Sequence, residues 1–580
     1  MLQPIKKQKT EHSSLNIFSR KHQDIFNKAG GKQWQTLKND PREQEHWHKG
    51  LGALIPSLLE EGDVGFARLY WKHYPDNIKI TNVTSKLHNG YRWHESSKLW
   101  LSSTKSGILC EVARGLSTMF VNHLTHVMEE YDAIKACDFK CNEETCQYKE
   151  TCKAQKANKI KINVDKVIPS KKALTKVSST YGLSGILTFV CDHFLTLNKP
   201  NFEEYVNMSS TELPLRDGKV IDFNTLEMRD RTQEDYWSYN LDVMYIKNSE
   251  ECSIQKFVHD MMLGFCGNDS ELFKYLQGII GLGFTREALR IKKLFVFYGK
   301  GNNGKSVVFD WFRKILGQNF VDVNANILMA DQGPRAGRAT PQLMELPNAR
   351  LCVFSEPEKE QGRPAMVFSD STVKKMTGGD PQNIRQLHQA QQKFTMRGLI
   401  CGHMNERPNM QSVSDQAIVG RVDEFPCMAK FVKNAANNKK CERMLQPNEQ
   451  DALFSWAAIG ANRFLKNGNL GTLPAAMATA KAEYLQEVDS VSKWLREACE
   501  ATGNRKFVVK RSQIFDLYKD WCETEGIEAP QKKGAMLKQF KQLASTKAEA
   551  IANFNGYWIK DSGGIKVFGL DIKVKRPPPE

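Results

Sequence analysis

The sequence predicts an α/β fold: a central parallel sheet carrying a phosphate-binding loop, preceded by a mostly helical segment and followed by a helix–helix–hairpin segment. Three observations carry this. Between Ile291 and Phe425, apolar runs suited to buried strands (Leu294–Tyr298, Leu351–Phe354, Phe394–Cys401) alternate with helical patterns, which is the signature of a sheet with crossover helices. The first run leads into Gly299-Lys-Gly-Asn-Asn-Gly-Lys-Ser306, and Val307 to Leu316 then has helical spacing up to Gly317. The final segment reads as a helix at Val491–Ala501, a strand at Lys506–Lys510, helices begun by Ser512 and by Gly534, and a hairpin around Ser562-Gly-Gly564.

A chain of 580 residues is too long for one hydrophobic core. The composition shifts place domain boundaries at 1–65 (basic tail and helices), 66–250, 251–290 (helical collar), 291–430 (α/β core), 431–490 (helical lid or linker) and 491–580. The apolar fraction of 41% and charged fraction of 26% suit a soluble globular protein. No apolar run is long enough for a membrane span, and the polar, basic N-terminus does not read as a secretory signal. The net charge of +16 favours a polyanionic partner, of which nucleic acid is the usual one.

Ahead of the α/β core, Phe66, Leu69, Tyr70 and Tyr74 have helical spacing, and Gly90–His94 with Lys98–Trp100 reads as a hairpin. Ile108–Tyr131 and Leu183–Leu197 read as long helices. Asp217-Gly218, inside Leu213–Asp222, is a strong hairpin turn signal. Ser253–Ile280 is expected to be helical, as are Phe454–Leu465 and Ala475–Val488.

The loop from Gly299 to Ser306 fits the G-x-x-x-x-G-K-[ST] pattern at every position. Its glycines let backbone N–H groups turn toward phosphate oxygens, and the following helix adds the partial positive charge of its N-terminus. Gly299, Lys300, Gly301, Asn302, Asn303, Gly304, Lys305 and Ser306 are therefore the expected nucleotide cradle, for ATP with Mg²⁺. Lys305 should reach the β- and γ-phosphates, and the Ser306 hydroxyl should ligate the metal. Arg350-Leu-Cys-Val-Phe-Ser-Glu-Pro-Glu358 supplies an acid just past a buried strand. Glu356 is the expected partner of the metal or the attacking water, with Glu358 in reserve.

Four blocks in order, Gly299–Ser306, Ser355–Glu358, Lys374-Lys-Met-Thr-Gly-Gly-Asp380 with Arg385 and Phe394, and the run to Asn405, Pro408 and Arg421, resemble a superfamily 3 helicase. The type is that of poxvirus and phage-satellite primase-helicases, hexameric AAA+ motors of large DNA viruses, phages and plasmids. Asn89-Gly-Tyr-Arg-Trp93 and Leu213–Gly218 resemble the domain preceding such helicases, and the C-terminal order resembles a winged helix. The resemblance implies an ATP-hydrolysing DNA helicase acting as a homo-hexamer, moving 3′ to 5′ on single-stranded or forked DNA. Implied partners are a primase, polymerase or loader, and the implied location is viral replication sites in host cytoplasm or nucleus. Asn405 would orient the lytic water, and Arg421 would be the arginine finger. Arg385, Gln386, Leu387 and His388 would form the tip of a DNA-contacting hairpin, with Lys374 and Lys375 near its base. The segment Asn383–Lys393 is rich in Gln, Arg and His and has no acid, as a channel following a phosphodiester backbone requires. Little chain precedes the helicase-associated region, so the expectation is either a stand-alone helicase or the helicase fragment of a longer protein, and primase activity is not predicted. The contrasting reading is an initiation or scaffold protein that uses ATP to assemble on DNA.

Cys137, Cys141, Cys146 and Cys152 lie in one polar stretch with spacing C-x3-C-x4-C-x5-C, a thiolate set suited to structural Zn²⁺. His123 and His126, on the preceding helix, read as ordinary core or surface residues. The basic stretch Lys532–Lys541 is the candidate recognition helix of the last domain.

Overall fold

The computed structural model describes residues 41–74, 77–83, 88–136, 167–196, 202, 205–247, 252–329, 343–355, 367–384, 392–411, 413, 415–432, 434–501, 508–527, 531–543, 558–561, 565–568 and 570–572. The chain divides into two compact units, Met1–Met208 with Thr232–Tyr239, and Ser209–Arg231 with Asn240–Glu580. No described helix is long and apolar enough to cross a membrane.

The first unit runs α1 (Pro41–Glu61), α2 (Asp63–His73), β1 (Ile78–Val83), β2 (His88–His94), β3 (Leu99–Ser103), α3 (Lys105–Ala136), α4 (residues 167–178) and α5 (Thr180–Thr196). Gly62, at φ 63°, turns the chain between α1 and α2, a conformation that a side chain would strain. The apolar spacing of α2 and α3 buries Phe66, Tyr70, Ile108, Val112, Leu116 and Phe120 in one core with Ile186 and Val190 of α5. The expected hairpin is β2–β3, where Trp93 pairs with Trp100 at 5.7 Å between ring centroids. Trp100 is held at both ends: its backbone N–H donates to Trp237 O and its indole N–H to Gln233 O. These bonds explain why Thr232–Tyr239 returns to this unit.

The second unit opens with a three-stranded antiparallel sheet, β4 (Glu212–Pro214), β5 (Lys219–Asp222) and β6 (Glu227–Asp230), whose first turn contains the expected Asp217-Gly218. Two helices follow, α6 (Ser253–Phe265) and α7 (Ser270–Gly283). The single helix expected over Ser253–Ile280 is thus broken. Gly267 and Asn268 take positive φ (67° and 64°), and the Asp269 carboxylate caps α7 by accepting from the Glu271 and Leu272 N–H groups.

The core then runs β7 (Leu294–Tyr298), α8 (Lys305–Leu316), β8 (Phe320–Asn324), β9 (Leu351–Ser355), β10 (Val367–Phe368), α9 (Asp370–Gly378), β11 (Gln382–Ile384), β12 (Gln392–Phe394), β13 (Leu399–Met404), β14 (Asn409–Met410), α10 (Gln416–Val419) and β15 (Val422–Pro426). Five strands form one parallel sheet in the order β15-β7-β13-β9-β8. The expected strand Phe394–Cys401 is two elements. Phe394 ends the β11–β12 hairpin and β13 starts at Leu399. Between them Gly398 passes so close to Ala349 that a Cβ would lie 2.5 Å from the Ala349 carbonyl oxygen.

Four helices come next, α11 (Ala435–Arg443), α12 (Pro447–Asn467), α13 (Ala475–Val488) and α14 (Ser490–Ala498). Gly281 of α7 faces Gly460 of α12 at backbone contact; a Cβ on Gly460 would sit 1.9 Å from Gln277 O. The tail continues β16 (Cys499–Ala501), β17 (Val508–Lys510), α15 (Arg511–Thr524), α16 (Lys533–Leu543), β18 (Trp558–Asp561), β19 (Ile565–Phe568) and β20 (Leu570–Ile572). The expected helix Val491–Ala501 therefore stops at Ala498, because Cys499–Ala501 pairs with β20. Ser512 is inside α15, and the backbone N–H of Lys510 instead donates to the Gln513 side chain. Trp494, Tyr518 and Phe540 centre the tail's apolar core.

Candidate functional site

The strand order creates the site. From β7 the chain crosses to β8 at one edge, whereas from β13 it leaves toward β15 at the other. Adjacent parallel strands whose connections diverge open a crevice at their C-terminal ends, where ligands bind in such sheets. The loop from Gly299 fills that crevice. Gly301, Asn302 and Gly304 have φ of 69°, 51° and 78°, so the chain turns through a left-handed path before α8 begins. The Gly299 N–H donates to Met404 O at the end of β13, and the Phe431 N–H donates to Asn302 O. The first-turn N–H groups of α8 are oriented to receive an anion.

Lys305 is 5% exposed. Its ammonium donates to Gly299 O (2.5 Å), Asn303 Oδ1 (2.8 Å) and Asn405 Oδ1 (3.1 Å). All three acceptors are neutral oxygens, so a phosphate oxygen would be a stronger partner for the same charge. A cavity of about 740 Å³ opens beside it. Gly301–Val308 forms one wall, Ser355, His403 and Asn405 project from the strand ends, and Met261 with Phe265 comes from α6. Phe431, Val432 and the α11 residues Asn437, Asn438, Lys440 and Cys441 complete it. The volume suits a nucleotide. The apolar wall is close: a Cβ on Gly304 would lie 2.9 Å from the Phe431 ring. Burial lowers the pKa of His403, with Lys305 and Arg313 adding to the shift, so its imidazole is neutral near pH 7. Burial likewise pushes the Cys427 thiol well up, which leaves it unreactive.

The structure therefore brings together Gly299–Ser306 and Asn405. Lys300 and Ser306 are exposed at the loop's rim. Arg421 is elsewhere: it precedes β15, whose far end Pro426 pairs with Tyr298 beside the loop. That is roughly 16 Å along the strand at about 3.3 Å per residue. Its guanidinium donates to Ala417 O. On α9, Lys374 is ion-paired with Asp415 at 2.5 Å, while Lys375 is exposed. The α9 helix leads into the β11–β12 hairpin, but the tip residues Arg385, Gln386, Leu387 and His388 lie outside the described residues. So do Glu356, Glu358 and the cysteines Cys137, Cys141, Cys146 and Cys152. Among the described residues, no group of three His, Cys, Asp or Glu side chains is placed to hold a metal ion. His123 and His126 pack against His48, with ring centroids 5.7 Å and 4.2 Å away.

Sequence reasoning missed one wall of the cavity and one residue outside it. The wall from Phe431 to Cys441 carried no motif; its one signal was the apolar pair Phe431-Val432, of which Val432 is 70% exposed. Arg407, two residues beyond Asn405, gave no signal at all.

No family model matches the chain. It is similar to proteins of large DNA viruses that are named as helicases. "Putative helicase 121R" of Invertebrate iridescent virus 3 is 25% identical over 380 residues, 60% of this chain and 38% of that protein. "Putative helicase L207/L206" of Acanthamoeba polyphaga mimivirus is 22% identical over 340 residues, 56% and 34% of the two chains. "Putative helicase 022R" of Frog virus 3 (isolate Goorha) is 25% identical over 249 residues, 40% and 24%. This chain thus spans well under half the length of each. Among solved structures, an apo form of the NrS-1 C-terminal region covers 58% of this chain and 80% of its own, at 13% identity and a TM-score of 0.31, a likeness too weak to specify the fold.

Proposed function

We propose that this chain is the motor part of an ATP-dependent DNA helicase of the superfamily 3, AAA+ type, serving replication of a large DNA virus, phage or mobile element. The observation that carries the reading is the meeting of Lys305 and Asn405 at 3.1 Å in the crevice between β7 and β13. A phosphate loop alone binds a triphosphate; a polar side chain from the neighbouring strand, at the loop lysine, adds a group that can position water against the γ-phosphate. The names of the viral relatives support unwinding over other uses of such a loop.

When bound, Mg–ATP supplies the phosphoanhydride that is cleaved. Lys305 neutralises charge on the phosphates, Ser306 and Glu356 would hold the metal, and Asn405 orients water. The position of Arg421, away from its own chain's loop, supports a role at a neighbouring subunit's nucleotide in a hexameric ring. The hairpin tip Arg385–His388, with the exposed Lys375, would contact one DNA strand and move it 3′ to 5′. The tail, with its basic α16, would act as a winged helix on duplex or forked DNA. Cys137, Cys141, Cys146 and Cys152 would hold a structural Zn²⁺.

Strand displacement on forked DNA tests the reading. Displacement that requires ATP is expected. ATP hydrolysis and DNA binding without displacement would replace the motor with an ATP-regulated initiation or scaffold protein.

A further inference from the structure

We infer that Arg407 is a positioning residue for Asn405, fixing the turn that bears it against both the phosphate-loop strand and α13. The inference rests on the role given to Asn405 above. Arg407 lies on the turn 405–408 between β13 and β14, and its side chain is 9% exposed. Its Nε and Nη2 donate to the two oxygens of Glu424 at 2.8 and 2.7 Å, a bidentate pair with β15. Nη1 donates to Glu487 of α13 at 2.6 Å, and Nη2 reaches Glu483 of the same helix at 3.4 Å. The guanidinium also lies over the ring of Tyr298, 4.4 Å from its centroid. Tyr298 is the residue immediately before Gly299. One side chain thus ties the Asn405 turn to the start of the phosphate loop, to β15 and to α13.

A second fastening lies one residue on. The hydroxyl of Tyr484 of α13, 1% exposed, donates to Pro408 O at 2.5 Å. Lys481 of α13 pairs with the buried Asp423 of β15 at 2.6 Å, so the helix that grips the turn is itself anchored.

Stability alone is a poor reason for this network. Glu424 is 1% exposed, and burying a carboxylate against a cation is often no better than an apolar pair of the same volume. What the planar guanidinium gives that an apolar pair does not is a fixed bidentate geometry. Asn405 needs that, because a misplacement of about 1 Å at a reacting centre can cost roughly a hundredfold in rate. Arg407 does not line the cavity, so it acts through Asn405 rather than on the nucleotide.

The test is DNA-stimulated ATP hydrolysis by the 580-residue chain, with binding of a non-hydrolysable ATP analogue measured alongside. R407A is expected to lower kcat by about thirtyfold or more while the analogue's Kd changes less than about threefold. R407K, which keeps the charge but loses the fork, should recover only part of kcat, and Y484F should lower kcat by about three- to tenfold. A wild-type kcat in R407A, or equal losses of kcat and affinity, overturns the inference. Should R407A fail to fold, a wild-type kcat in both R407K and Y484F overturns it. K305A separates the two levels: hydrolysis surviving in K305A removes the site assignment itself, whereas hydrolysis lost in K305A but normal in R407A removes only the role of Arg407.

Discussion

In the first unit the core is Phe66, Tyr70, Ile108, Leu116 and Phe120 with their neighbours, and the ionisable groups buried there include His48 and His73, which burial keeps neutral, and Glu111 on α3, which Arg92 and Arg114 reach. In the sheet of the second unit, charged side chains lie in the interior: Lys305, Arg350, Asp423 and Glu424 are all 5% exposed or less. Their partners show two uses. Arg350, at the foot of β9, donates to the carbonyls of Phe284, Ser209 and Glu212 and works as a staple between loops. Lys305, Glu424 and Arg407 converge on the upper edge of the sheet, around Asn405. Arg350 meets backbone carbonyls and holds structure, whereas Lys305 and Glu424 meet side chains at the strand ends that form the site, Asn303 and Asn405 for the first and Arg407 for the second.

The largest expected effect separates those uses. K305A should reduce ATP hydrolysis by about a hundredfold or more, while the melting temperature holds or rises because a buried cation is removed. A fall in stability comparable to loss of a core residue would instead make Lys305 a staple like Arg350. Next, W100A should cost about 3–5 kcal/mol in the first unit, read as lost hydrogen-exchange protection in β2 and β3. Nucleotide affinity of the second unit should not move, and a change would mean the two cores are energetically coupled.

Acid sharpens the comparison further. Burial, together with His126 and His123, lowers His48 from 6.5 to about 3. Burial, together with Lys72, lowers His73 from 6.5 to about 4. Between pH 6.5 and those folded values the unfolded chain binds more protons, so stability is lost as pH falls through this window. The loss is on the order of 3–5 kcal/mol per histidine. Protection of α1 and α2 should therefore fail at milder acidity than that of β7, and simultaneous loss would refute the contrast. The smallest effect concerns Asp415, which the hydrogen bond from Lys374 holds below the usual carboxylate range. Its contribution is present above the ordinary value of 3.8 and lost as pH falls through the lower folded value. The side chain is 29% exposed, so D415N should cost less than about 1 kcal/mol in thermal melts near neutral pH and nothing in strong acid.

How much of this was legible follows from how local each feature is. The phosphate loop is eight consecutive residues between a strand and a helix, and both flanks were readable from apolar spacing. The break at Gly267-Asn268-Asp269 was also written locally, as a left-handed pair followed by a cap, and the continuous apolar period across it hid it. Asn405 could be placed by its order behind the loop, but its contact with Lys305, a hundred residues earlier, needs β13 to insert between β7 and β9. The Phe431–Cys441 wall and the Arg407 network join segments whose spacing has no period.

The sequence by itself determined the loop, its strand and helix, the hairpins of β2–β3 and β4–β5, and the basic character of the chain, because each depends on residues within a few positions of one another. Only the tertiary structure decided the order β15-β7-β13-β9-β8, which gathers Lys305, His403 and Asn405 at one edge and leaves Arg421 at the other. The physical reason is that strand neighbours are chosen by the packing of whole faces. Val-Asp-Glu-Phe-Pro at 422–426 gives no local sign that its two carboxylates are buried, and they are tolerated there because Lys293, Lys481 and Arg407 reach them from other parts of the chain.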